Sequence, residues 1–434
     1  MTATAPNLTA SGAGLLALAV FVVAYGFVIA EEFTNLRKSK PVVIAAGVIW
    51  MLVAVAYARA GVEGVEDALR SQLGDYAGLL LFLLAAMTYV NTMQERDVFA
   101  ALRSWLVARR LSYRALFWIT GIVAFFLSSV LDNLTTALVM GAVVLSVGQG
   151  KSRFLVPACI SIVVAANAGG AFCPFGDITT LMVWQHGAVK FFEFFDLFLP
   201  SLVNWLVPAL CMQFAIPRSL PDAEATRVHV KPGGMVIVGL FAATIIMTVL
   251  MHQYLHLPPF LGMMTGLGLL MVYGFTIRRR ESRAGAAQPF DIFANAQRVE
   301  WDTLLFFYGV ILCVGGLGAL GYLTLLSHAS YVSLGATTAN VLVGLASAVV
   351  DNIPIMFAVL SMNPDMSHGQ WLLVTLTAGV GGSLLSIGSA AGVALMGQAR
   401  GVYTFASHLK WAWAIALGYA ASIGTHFLVN ARLF

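Results

Sequence analysis

A carboxylate sits in the middle of a long apolar run. Residues 115–147 read ALFWITGIVAFFLSSVLDNLTTALVMGAVVLSV, with Asp132 near the centre and no polar loop on either side. The phrase returns in the other half of the chain as Ser347-Ala348-Val349-Val350-Asp351-Asn352-Ile353-Pro354. A charge among apolar groups is costly unless something compensates it. A chain that keeps two such Asp-Asn pairs must fold around them.

The surroundings of these pairs are a membrane. Of the 434 residues, 59% are hydrophobic and 10% charged, against roughly 25% charged in soluble domains. Apolar runs recur that are long enough to cross a hydrocarbon core of about 30 Å. The short alternating segments of a β-barrel are absent. The fold expected is therefore an all-α polytopic membrane protein. The net charge of +4 sits at helix ends, where topology explains it, and gives no reason to expect a nucleic-acid partner. Cys159, Cys173, Cys211 and Cys313 are isolated in or near apolar segments and read as packing residues. The first apolar run has no basic region before it, so it reads as a retained span rather than a signal peptide.

Spans are expected at about 14–30, 41–58 and 76–93, followed by an interfacial amphipathic stretch, 95–114, that carries Arg96, Arg103, Arg109, Arg110 and Arg114. Residues 115–147 are too long for one span and short for two. Basic residues flank both ends (Arg114; Lys151 and Arg153), which predicts a re-entrant hairpin with Asp132-Asn133 at its tip. The next span, 154–184, is interrupted by Asn167-Ala168-Gly169-Gly170-Ala171-Phe172-Cys173-Pro174-Phe175-Gly176-Asp177, where glycine and proline break a helix. The first half-helix is expected to end near Asn167. A span at 197–216 and a cytoplasmic linker at 217–234 complete this half. The second half repeats the plan, with spans at 235–255 and 260–277, a basic loop Arg278–Arg283 and a span at 303–320. A hairpin at 335–361, a broken span at 371–399 and a last span at 411–428 follow.

Asp132 and Asp351 lie 219 positions apart, as do Ser128 and Ser347, each four residues before its Asp. One helical turn would put each Ser on the face of its Asp. Gly169-Gly170 and Gly176-Asp177 match Gly381-Gly382 and Gly388-Ser389 at a shift of 212. Residues 1–216 and 235–434 thus read as two structural repeats, each with a re-entrant hairpin and a broken transmembrane helix. Placing Arg37–Lys40 inside leaves only Arg59, Arg70, Lys190 and Arg432 of the 24 Lys and Arg outside. Both termini are then external, and the two hairpins enter from opposite faces. The repeats are inverted in topology, and paired interruptions of this kind mark a midplane binding site.

All of the 20 acidic residues except Asp132, Asp177 and Asp351 lie in connectors or near span ends. Glu31-Glu32 reads as a solvated pair and Asp302 as an N-terminal helix charge. No Lys or Arg lies deep in a predicted span, so the three membrane carboxylates are expected to lack a fixed counter-charge and to take a mobile one. Ser128, Asn133, Thr135, Thr136, Asn167, Thr179, Thr180, Ser347, Asn352, Ser386 and Ser389 supply neutral oxygens nearby. Oxygen donors without a His or Cys cluster suit a hard cation rather than zinc or copper. The cation is expected beside Asp132, Asp177 and Asn167. A buried carboxylate can also hold a proton, so competition of Na⁺ and H⁺ for one site would give exchange. No catalytic residue and no cofactor are expected.

At Ser128–Thr136, Asn167–Thr180 (NAGGAFCPFGDITT), Ser347–Pro354 and the Glu32–Trp50 stretch with its RKSKP, the sequence resembles the NhaD family of Na⁺/H⁺ antiporters, over essentially its whole length. The resemblance implies transport of Na⁺, with Li⁺ as a further cation, against H⁺ across an inner membrane. It implies that Asp132, Asn133, Asn167, Asp177, Thr179, Thr180, Asp351, Asn352, Ser386 and Ser389 act in transport, supported by Ser128 and Ser347. It also implies a homodimer in the lipid bilayer and an elevator motion of a domain carrying both hairpins. Two rivals stand against it. One is an anion carrier of the same superfamily, for dicarboxylate or arsenite; its dicarboxylate members carry Ser-Asn-Thr at the hairpin tips, where this chain has Asp, whose negative charge opposes anion binding. An intramembrane aspartyl protease would also need two carboxylates, but its usual GxGD is here Pro174-Phe175-Gly176-Asp177.

Overall fold

The computed structural model describes residues 7–34, 36–109, 111–148, 151–220, 227–285 and 289–434. Arg110 and residues 221–226 of the linker lie outside the described residues, as does the side chain of Glu32. The described residues form helices only. The first group is α1 Gly12–Ile29, α2 Glu31–Thr34, α3 Ser39–Ala60, α4 Val65–Glu95 and α5 Val98–Ala108. Hairpin one is α6 Tyr113–Leu127 and α7 Asn133–Val147, and broken span one is α8 Ser152–Ala171 and α9 Ile178–His186. Then follow α10 Phe198–Met212, α11 Gly234–Leu255, α12 Pro259–Arg283, α13 Ile292–Gln297, α14 Trp301–Ala319 and α15 Tyr322–Ser327. Hairpin two is α16 Ala336–Ala346 and α17 Asn352–Met362, and broken span two is α18 His368–Gly381 and α19 Ala390–Gln398. The chain ends with α20 Phe405–Leu409 and α21 Ala412–Val429.

Among the described residues, 9 helices are long and apolar enough to cross a membrane by length and composition. Several boundaries differ from expectation, each for a local reason. Much of the polar connector before residue 76 is helix, because α4 begins at Val65 with Glu66 and Asp67 in its first turn, where carboxylates favour a helix start. The expected basic loop is the last turn and a half of α12, with Arg280 and Arg283 at its C-terminus, again the sign the helix dipole prefers. Residues 322–346, which the sequence divides between a connector and a hairpin, form two helical pieces bent by 116°.

The helices sort into two packed groups. In one, α3 lies between α1 and α14, and α4 packs on α14, α11 and α12. In the other, α6 packs on α8 and α16 on α18, α8 touches α18, and α10 packs on α21. The hairpins cross over: α7 of hairpin one packs on α19 of broken span two, and α17 of hairpin two packs on α9 of broken span one. The groups meet where α17 lies against α14 and α15. α8 is buried on every side from Phe154 to Ala171 save Val156, so its near-continuous apolar sequence reflects protein neighbours rather than lipid.

Both expected breaks are present, with Gly176, Gly382 and Gly388 inside them, but the first begins about four residues later than expected. α8 runs through Gly169-Gly170 to Ala171, and α18 runs to Gly381. The role of Gly169 and Gly381 is close approach. A Cβ on Gly169 would lie 2.0 Å from the Phe125 carbonyl oxygen, and one on Gly381 would lie 2.0 Å from that of Gly344. A Cβ on Gly176 would strike the Ser128 carbonyl oxygen, and one on Gly388 would lie 2.5 Å from the Ala348 carbonyl oxygen and 2.6 Å from that of Ser347. These contacts correspond under the two sequence shifts, 212 for the broken spans and 219 for the hairpins. The breaks themselves lie just beyond, at 172–177 and 382–389.

Candidate functional site

Four helices begin at the centre of the second group, and each is capped by the side chain before its first residue. Asp132 Oδ1 accepts from the Thr135 N–H at 2.8 Å, Asp177 Oδ1 from the Thr179 N–H at 3.0 Å and Asp351 Oδ1 from the Ile353 N–H at 3.4 Å. Ser389 Oγ accepts from the Gly392 N–H at 3.2 Å. Capping satisfies backbone donors that a helix start leaves free, and the helix dipole stabilises negative charge there. The sequence pattern Asp-Asn after an apolar run is therefore also a helix-start signal, which explains why the chain turns at each hairpin tip.

The second oxygens have three different fates. Asp132 Oδ2 accepts from the Thr135 hydroxyl at 2.7 Å. Asp177 Oδ2 accepts from both hairpin tips, from Asn133 Nδ2 at 3.1 Å and Asn352 Nδ2 at 3.2 Å. Asp351 Oδ2 accepts from Lys38 Nζ at 2.8 Å. The last contact corrects the expectation that no carboxylate has a fixed counter-charge. Lys38 lies just before α3, outside any predicted span, but its long stem lets the ammonium reach inward. Burial alone would lower the Lys38 pKa, but the Asp351 carboxylate raises it above its ordinary value, so Lys38 stays charged. Lys38 Nζ also sits 4.3 Å over the Phe306 ring, and its backbone N–H donates to Glu31 Oε1. The next residue, Ser39, donates its hydroxyl to Asp302 in the first turn of α14, so Asp302 does more than complement a helix dipole.

Asn167 links the halves. Its Oδ1 accepts from Asn133 Nδ2 at 3.0 Å, and its Nδ2 donates to Ser389 Oγ at 3.0 Å. Asn167 is fully buried and Asp177 is 6% exposed. Asp132, Asn133, Thr135, Asp177, Asp351, Asn352 and Ser389 line one cavity of about 120 Å³, together with Lys38, Arg298, Glu300 and Thr303. Most of the wall is apolar, with Phe82, Val90, Leu181 and Phe307 among its residues, but the polar groups gathered in it offer an ion or water several partners. Sequence reading missed Lys38, Arg298, Glu300 and Thr303. Lys38 stands in the RKSKP motif, but there it looks like a topology anchor.

Other expected residues lie outside this cavity wall. Thr180 donates its hydroxyl to the carbonyls of Asp177 and Cys173 at 2.7 and 3.0 Å, and Ser347 donates to the Ala378 carbonyl at 2.9 Å. Ser128, Thr136 and Ser386 are buried with no hydroxyl partner among the described residues. The helical-turn argument for Ser128 and Ser347 does not hold: each caps the C-terminus of its hairpin's first limb, and the tip turn separates it from its Asp.

A family model described as "Citrate transporter" matches residues 14–379. A Na(+)/H(+) antiporter NhaD of Alkalimonas amylolytica is 54% identical over 99% of this chain and 93% of its own length. The Na(+)/H(+) antiporter NhaD of Vibrio cholerae is likewise 54% identical, over 99% of this chain and 94% of its own length. Sodium/proton antiporter 1 of Arabidopsis thaliana is 31% identical over 95% of this chain and 72% of its own length. The chain is thus a multi-pass membrane protein that belongs to the NhaD family of Na⁺/H⁺ antiporters.

Proposed function

We propose that this protein exchanges Na⁺ for H⁺ across the inner membrane, with both ions competing for Asp177. The observation that carries this reading is the convergence of Asn133 and Asn352, one from each hairpin tip, on a single oxygen of Asp177. With no cation bound, an ionised Asp177 has three N–H donors and no basic partner. A cation arriving there would take over that oxygen. Each Asn amide can then turn to offer its carbonyl oxygen instead, because the two ends of an amide are nearly the same shape. Asn167 Oδ1 and Asp132 would complete an oxygen shell for Na⁺, and for Li⁺ if the shell contracts. A proton on Asp177 would empty the same site.

Residues 1–216 and 235–434 act as inverted repeats in this reading, with external termini and the two tips entering from opposite faces. The matched glycine contacts of the two halves support it. The second helix group, which carries both hairpins, moves as an elevator against the first, and the protein works as a homodimer. The description of the family model favours a second reading, an anion carrier for citrate. Four carboxylates, Asp132, Asp177, Asp351 and Glu300, face two basic side chains, Lys38 and Arg298, in that cavity, and this excess of negative charge argues against it because it repels a carboxylate substrate at close range.

The test is dye-reported proton flux in everted membrane vesicles. Addition of Na⁺ should dissipate a preformed proton gradient, and addition of citrate should not. Asp177→Asn should reduce the Na⁺-driven signal at least about 100-fold while purified protein keeps its thermal transition. Wild-type flux in Asp177→Asn vesicles would sink the assignment.

A further inference from the structure

We propose that Lys38 is a positioning residue for this exchange, an internal counter-cation that ties the tip of hairpin two to the first helix group and must let go of Asp351 when an ion loads the site. The inference rests on the exchange reading above.

Three observations carry it. First, the pair spans the junction between the two helix groups. Lys38 precedes α3, and its surroundings belong to the first group: Glu31 at its backbone, Phe306 under its ammonium and Asp302 bonded to its neighbour Ser39. Asp351 belongs to the hairpin of the second group. Any displacement of one group against the other must therefore break a 2.8 Å ion pair.

Second, the pair lies on the wall of the ion cavity. The side chains of Lys38 and Asp351 are 19% and 17% exposed, and both line the cavity that also holds Asp132, Asp177, Asn133 and Asn352. Asn352 follows Asp351 directly and bonds Asp177. A change at Asp177 that turns the Asn352 amide thus acts on the residue beside the ion pair.

Third, the sequence of hairpin two leaves Asp351 open to an outside partner. Asp132 satisfies both oxygens within its own helix start, through the Thr135 amide and hydroxyl. The residue 219 positions after Thr135 is Pro354. Proline has no N–H and no hydroxyl. Asp351 therefore falls back on a longer 3.4 Å bond to the Ile353 N–H, and its other oxygen goes to Lys38. A mobile cation entering the cavity meets one carboxylate already neutralised by the protein. Breaking that pair without replacing the charge would leave an uncompensated ion in a poorly solvated place, so release is favoured only when a cation or proton is present. Loading and movement are coupled through one lysine.

Two measurements test this. In vesicles, Lys38→Gln removes the competing charge, so half-maximal proton flux should need about 5-fold less Na⁺ than in wild type, while Lys38→Arg should keep the wild-type requirement within about 2-fold. A purely structural lysine would instead lower flux with the Na⁺ requirement unchanged, and that result would overturn the proposal. Should Lys38→Gln fail to fold, the wild-type protein decides. Lys38 acylation by an amine-reactive reagent, read by peptide mass spectrometry in detergent, should speed up several-fold when choline is replaced by Na⁺. An unchanged rate overturns the proposal. Absence of Na⁺-driven flux in wild type would instead be a failure of the exchange reading, so the two failures are distinguishable.

Discussion

The two hairpin tips carry the same Asp-Asn pair and end in different electrostatic circumstances. At tip one, Asp132 is saturated by Thr135, with an amide at 2.8 Å and a hydroxyl at 2.7 Å. At tip two, Asp351 makes one long cap bond and one ion pair, to Lys38. Both following asparagines then bond the same oxygen of Asp177. The tips are equivalent in aim and unequal in charge. The broken spans repeat the lesson: Asp177 caps α9, but its counterpart Ser389 caps α19, and the counterpart of Asn167 is Gly379. The matched sequence positions thus carry unequal charge, with an acid at Asp177 where the other half has Ser389 and a lysine paired with Asp351 but not with Asp132.

Five substitutions would break or sharpen this comparison. The largest effect is expected where the halves are the same. Gly169→Ala and Gly381→Ala each drive a Cβ to 2.0 Å from a backbone carbonyl, which no side-chain rotation relieves. Each should destabilise by about 3 kcal/mol or more, seen as a large loss of folded protein in detergent thermal scans. A tolerated alanine at one position alone would mean that the two packings are not equivalent.

An intermediate effect is expected where the halves differ by one residue. Pro354→Thr restores to tip two the N–H and hydroxyl that tip one has. Asp351 could then satisfy itself locally, and the Lys38 pair should weaken. Half-maximal flux should shift to lower Na⁺ by about 2-fold, the same sense as Lys38→Gln and smaller. A shift the other way would separate the cap from the ion pair.

The smallest effect concerns the paired serines. Ser347→Ala removes a donor from the Ala378 carbonyl and should cost about 1 kcal/mol. Ser128→Ala removes a hydroxyl with no partner among the described residues and should be nearly neutral in the same scan. Equal losses would mean that the Ser128 hydroxyl has found a partner, such as water or a bound ion.

Much of the candidate site was legible in the chain. Asp132, Asn133, Asp177, Asp351, Asn352 and Ser389 were found because a polar residue in an apolar run must be compensated, and that is visible without coordinates. Asn167 was found for the same reason. Thr180 and Ser347 were harder, because a hydroxyl in a helix can bond a backbone carbonyl or face a ligand, and sequence does not distinguish the two. The glycines mark the breaks as expected, but Gly169 and Gly381 have a second task, close approach to a hairpin backbone. Composition shows that a Cβ is missing, but only the neighbouring hairpin shows what it would have struck.

Lys38 marks the boundary most clearly. Hydropathy and spacing are local along the chain, so they determined the membrane class and the identity of the buried acids. The partner of Asp351 lies 313 residues away, in a connector whose charge looks like an ordinary topology signal. Only folding packs α14 against both α3 and α17, and only then does a lysine at a helix start join the cavity that Asp132 and Asp177 line. Burial is written in sequence because every residue carries its own transfer cost. Pairing is not, because a charge can be satisfied by any partner the tertiary structure brings within reach.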